Sequence, residues 1–92
     1  MNKYWPVIMW CYDVTDDGAL KYMPSQAHAN DLRWCYTEGD AILYGLRRIK
    51  DQQNNNIHAM PTFVVKVINS KTKPNVLPGS PIRMLVQRIP LA

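Results

Sequence analysis

Two cysteines in 92 residues are too few for a disulfide-stapled secreted scaffold. Long apolar runs are missing too: the longest is about six residues, against the roughly 20 that a membrane helix requires. The start, Met1-Asn2-Lys3-Tyr4-Trp5-Pro6, has no apolar stretch leading to a small-residue cleavage site, so a cytosolic protein without a membrane partner is expected. Catalytic signatures are absent. There is no phosphate-cradling or dinucleotide-binding glycine loop, no HExxH and no nucleophile elbow. His28 and His58 are the available bases for Cys11 or Cys35, and no spacing rule supports a Cys–His nucleophile. Both histidines read as surface or hydrogen-bonded structural groups. Neither pair has the close spacing of zinc ligands, since Cys11 to Cys35 spans 24 positions and His28 to His58 spans 30. Asp13, Asp16 and Asp17 lack the alternation of a calcium loop. No enzyme, metal or cofactor is implied.

What remains is the composition of a folded domain: 47% apolar and 20% charged residues. Ninety-two residues accommodate one domain, 1–92, with a modest core. Eleven Lys and Arg against seven Asp and Glu give a charge of +4, which favours anionic partners without dictating a fold. Trp10-Cys11-Tyr12 and Trp34-Cys35-Tyr36 echo one another. Their cysteines read as small hydrophobes, with a bridge between strands as the alternative.

Residues 4–14 are rich in strand formers. Asp16-Asp17-Gly18 signals a turn, and residues 19–23 read as the returning strand, ended by Pro24. A three-residue turn pairs Val14 with Leu20, Asp13 with Lys21 and Tyr12 with Tyr22. It collects Ile8, Trp10, Tyr12, Val14, Leu20 and Tyr22 on one face and leaves Met9, Cys11, Met23 and an Asp13–Lys21 ion pair on the other.

Residues 24–32 read as a loop and 33–36 as a short third strand. Thr37 caps a helix from about 38 to 52. Its core stripe is Ile42, Leu46 and Ile49, with Ala41 and Gly45 at the edge. Gly45 suggests close approach of helix to sheet, over an aromatic ring or at a break in the helix. Asn54-Asn55-Asn56 ends the helix. Residues 62–70 form the clearest strand, 70–81 a proline-rich loop and 82–89 the last strand. The expected architecture is α+β in the order ββ(β)αββ: an antiparallel sheet of four to five strands with one main helix on one face.

Three surfaces are candidates for binding. The helix exterior carries Tyr44, Arg47, Arg48 and Lys50, whose plain alternative is a solvated face with an Arg47–Asp51 pair. The loop carries Lys71 and Lys73, which equally serve solubility. The sheet face opposite the helix presents Val64, Lys66, Ile68, Arg83, Leu85 and Gln87, an apolar area with scattered positive charge, unless residues 24–32 cover it. The aromatic side chains are expected mainly in the core rather than as a base-stacking platform.

The leading expectation is therefore a small non-catalytic binding or inhibitory protein that docks onto a larger protein. By analogy, this is the general character of phage and mobile-element accessory proteins that occupy a site on a host complex, as anti-CRISPR proteins do. The alternative is a nucleic-acid binder using Arg47, Arg48, Lys50, Lys71 and Lys73. A homodimer through the sheet face or a free edge strand is compatible with either.

Overall fold

The computed structural model describes residues 2–55, 63–77 and 79–88. It shows an α+β fold: a four-stranded antiparallel sheet of order β3-β1-β2-β4 with one long helix packed against it. The elements are β1 (Tyr4–Val14), β2 (Ala19–Pro24), a short helix α1 (Gln26–Ala29), the long helix α2 (Glu38–Asn55), β3 (Phe63–Asn69), a 3-10 turn (Pro81–Met84) and β4 (Leu85–Arg88). No helix among the described residues is long and apolar enough to cross a membrane.

The hairpin follows from its turn. Gly18 takes φ +84°, and its N–H donates to the Thr15 carbonyl at 3.0 Å. Thr15 Oγ1 donates to Asp17 and accepts the Ala19 N–H at 3.1 Å. Val14 faces Leu20 and Asp13 faces Lys21 as expected, with the ion pair closing at 3.8 Å. Beyond that point the register departs from expectation. Tyr12 is bulged out, so Tyr22 pairs with Cys11 instead of Tyr12. One extra residue exchanges the faces of everything beyond it. Tyr22 thereby joins Met9 rather than Trp10.

Pro6 lies in a central strand, where a missing N–H ordinarily breaks the ladder. Here it does not. Tyr4 bonds both ways with Cys35, at 3.0 and 2.8 Å, and the Ile8 carbonyl accepts from Ser25. Polar groups of the even-numbered residues in this stretch therefore point away from β3, and Pro6 points its nitrogen there too. The Tyr4–Cys35 bridge is all that forms of the expected strand at 33–36.

Both faces of the sheet are covered. Pro6, Ile8 and Trp10 alternate with Val7 and Met9 along β1 and stand beside Val67, Val65 and Phe63 of β3. Helix α2 lies on that side, with Gly45 directly over Val65. Thr37 caps the helix, its Oγ1 accepting the Asp40 N–H at 3.1 Å. Glu38 and Asp40 in the first turn complement the helix dipole.

The helix sits on its smallest ridge. Ala41, Gly45 and Ile49 recur every four residues and are buried, while Ile42 and Leu46 of the expected stripe turn outward. Contact between backbone and sheet, allowed by Ala and Gly, decides the rotation over aliphatic bulk.

On the opposite face Val7, Met9 and Tyr22 form a core with Ala29 of α1 and Val76 of the loop, flanked by Leu32, Val64, Ile68, Ile82 and Leu85. Residues 24–32, expected as a loop, contribute this short helix. The expected strand at 82–89 begins with the 3-10 turn and pairs only from Leu85. Ile89 and Asn56 lie outside the described residues.

Candidate docking surfaces

The sheet face opposite α2 was expected to lie open unless residues 24–32 covered it, and Ala29 and Leu32 of that segment do pack there, together with Val76. Met9 is fully buried beneath α1 and the loop, and Val64, Ile68 and Leu85 are half-buried against that core. Gln87 pairs with Leu20 through its backbone, and its side chain lies outside the described residues. A charge placed at Val64 or Leu85 would therefore disturb packing rather than probe a surface.

An opening lies on this side among the described residues. Lys66 of β3, Pro81 and Ile82 of the 3-10 turn and Leu85 of β4 line a cleft of about 250 Å³. β3 and β4 are the two outer strands, so the sheet must curl for both to reach one cleft. Arg83 is exposed beside it in sequence.

The helix exterior divides. Arg48 is engaged: its Nη1 donates to Asp31 Oδ2 at 2.5 Å and to the Tyr44 hydroxyl at 3.1 Å, with the guanidinium 5.9 Å from the Tyr44 ring centre. Arg33 Nε reaches the other oxygen of Asp31 at 3.4 Å. The Arg48 hydrogen bond holds the Asp31 carboxyl below its usual range, opposed by desolvation and helped by Arg33. Arg48 and Tyr44 thus tie α2 to the segment after α1. They are brought together, but not as a free basic surface.

Arg47 and Lys50 are exposed, and neither makes an ion pair among the described residues; the Arg47–Asp51 pair does not form. Beside them Ile42, Leu43 and Leu46 are 40%, 48% and 52% exposed. At about 100° per residue these five side chains occupy one continuous sector of the helix facing away from Ala41 and Gly45. Lys71 and Lys73 are exposed on the loop after β3, without an ion pair among the described residues and without large apolar neighbours next to them in sequence.

A feature that sequence reasoning missed lies just before α2. Trp34 and Tyr36 pack edge to face at 4.9 Å, and Lys3 Nζ lies 5.0 Å from the Trp34 ring centre. Tyr36 and Trp10 are exposed, so these two aromatic residues are less internal than expected, while Trp5 and Tyr22 are buried. The signal was available: in an extended segment, residues two apart share a side.

His28 is a hydrogen-bonded structural group. Its Nδ1 lies 3.0 Å from Ser25 Oγ, and its ring meets Phe63 edge-on. Burial, helped by nearby Arg48 and opposed by Asp31, lowers its pKa and favours the neutral ring. Cys11 and Cys35 are free and half-buried. His58 lies outside the described residues. The chain matches no protein-family model, no curated protein and no solved structure.

Proposed function

We propose that this is a non-catalytic docking protein that binds a larger protein through the outer face of α2. The carrying observation is Ile42, Leu43 and Leu46, three large aliphatic side chains about half exposed on one helix sector shared with Arg47 and Lys50, which make no ion pair among the described residues. Half-exposed aliphatic side chains that share a sector with cations suit an apolar groove with an acidic rim on the partner. Tyr36, two positions before the helix begins, supplies an aromatic residue of the type that anchors interfaces. Occupying a site on a host complex is the mode of action this reading favours. Two free thiols suit a reducing cytosol.

The test uses a photo-crosslinking residue at position 47 to identify the partner, followed by binding measurements with variants. Leu43→Glu and Leu46→Glu should weaken binding at least tenfold with the fold intact, whereas Lys71→Glu with Lys73→Glu should leave it nearly unchanged. Full binding by both leucine variants would refute the surface. If the captured partner is a second copy, light scattering will show a dimer that these substitutions dissociate.

Exposed Arg47, Lys50, Lys71 and Lys73 support a second reading, nucleic-acid binding. Arg48 is already spent on Asp31, so about four cations remain. A slope of log affinity on log salt no steeper than about −3.6 is then expected for duplex DNA. A phosphate track leaves the exposed Ile42, Leu43 and Leu46 on the same helix sector without a role, so the protein partner is the better reading.

A further inference from the structure

We propose that the cleft between β3 and the 3-10 turn binds a small aliphatic carboxylate, with Lys66 as its anchoring cation. Lys66 lies midway along β3, on the same side as Val64 and Ile68, and is half-buried. Among the described residues its ammonium has no ion-pair or hydrogen-bond partner, and the other lining residues, Pro81, Ile82 and Leu85, are apolar. A cation held beside aliphatic walls is best matched by an anion that carries its own aliphatic part. Inorganic phosphate would satisfy the charge and leave the walls wet. An aliphatic alcohol would cover the walls and leave the charge unpaired.

A second observation lies next to the cleft in sequence. Ser80, immediately before Pro81, is buried, and its hydroxyl is the one buried side-chain polar atom among the described residues with no hydrogen-bond partner. Native structures rarely leave such a group unpaired. Arg83, exposed and next to Ile82, adds positive potential at the mouth.

Size sets the class. At about 30 Å³ for each water-sized volume, the 250 Å³ cleft takes roughly eight heavy atoms. That suits hexanoate, or the terminal leucine carboxylate of a peptide. A nucleotide is too large.

The experiment is a titration of the 15N-labelled protein, followed by amide shifts, with three probes: hexanoate, N-acetylglycyl-leucine and hexanol. Saturable shifts confined to residues 64–68 and 80–86 are expected for at least one carboxylate, with hexanol at least tenfold weaker. Hexanoate alone would identify a free acid as the source, and the dipeptide alone a peptide C-terminus. Lys66→Met, which keeps the side-chain volume, should weaken the carboxylate at least tenfold. Binding by hexanol as tight as by the carboxylates, or shifts elsewhere, or no saturable response to either carboxylate would overturn the proposal. These readings use the unsubstituted protein, so they stand even if the Lys66 variant fails to fold.

Discussion

Replacing Gly45 with alanine tests the packing of α2 most directly. A Cβ at this position would lie 2.6 and 2.7 Å from the two methyl groups of Val65 and 3.3 Å from its Cβ. Ordinary carbon contacts are about 3.5–4.0 Å, so close to 1 Å of separation is missing. Rotation of Val65 offers no escape. Its two methyls fill two of three staggered positions, and both crowding positions are now occupied, so every rotamer keeps at least one filled.

The helix must therefore lift, loosening the buried contacts of Ala41 and Ile49. Overpacking of this kind costs about 1–3 kcal/mol, and contact with both methyls argues for the upper end. Against it stands about 1 kcal/mol of helix propensity gained by alanine. The expected outcome is a net destabilisation of about 1–2 kcal/mol, a fall in Tm of roughly 4–16 °C for a domain of this size.

Thermal and urea unfolding followed by circular dichroism would measure it. Adding Val65→Ala should recover part of the loss as a favourable coupling between the two sites. If Gly45→Ala instead raises Tm, as alanine does on a solvated helix face, the close approach is wrong.

Three further outcomes are expected. Thr37→Ala removes the acceptor for the Asp40 N–H and should cost about 1 kcal/mol in urea unfolding, while Thr37→Ser should cost little. The folded-state pKa of Asp31 lies below its unfolded value, so its contribution to stability is present above about pH 4 and is lost as pH falls through the depressed value. Asp31→Asn should accordingly lower stability near neutrality and converge with the parent protein in acid; a constant difference across that range would contradict the linkage. Burial, and secondarily Asp40, raises the pKa of Cys35, so its alkylation rate should reach half-maximum at a higher pH than a free cysteine's. A midpoint at the ordinary value would remove that assignment.

Local chemistry was legible in the sequence, and the outcome of competing contacts was not. The Asp-Asp-Gly turn, the Asp13–Lys21 pair and the Thr37 cap each depend on neighbours a few residues apart, and each stands where the residues implied. The bulge at Tyr12 leaves no mark in the alternation of Trp10 to Val14, yet it decides which face Tyr22 joins. Gly45 did announce a close approach, although its neighbour is Val65 rather than an aromatic ring. That approach also rotated the helix, exposing Ile42 and Leu46, which aliphatic bulk alone would have buried. The cover of the second face comes from Ala29 in a one-turn helix and from Leu32 and Val76 in irregular stretches, single apolar residues that carry no period to read.

Strand β1 has a consequence for how the chain is made. It is the first strand to be synthesised and the one that both neighbours require, with β2 on one side and β3 on the other. Its partners in β3 arrive between 53 residues later, from Trp10 to Phe63, and 65 residues later, from Tyr4 to Asn69. At about 5–20 residues per second, translation leaves that edge waiting for roughly 3–13 s. Until then the hairpin presents Val7, Ile8 and Met9, all destined for burial, with β1 unpaired along the side that β3 will take. The nascent chain is thus most open to chaperones, and to mispairing with a neighbouring ribosome's product, during a window set by the position of β3.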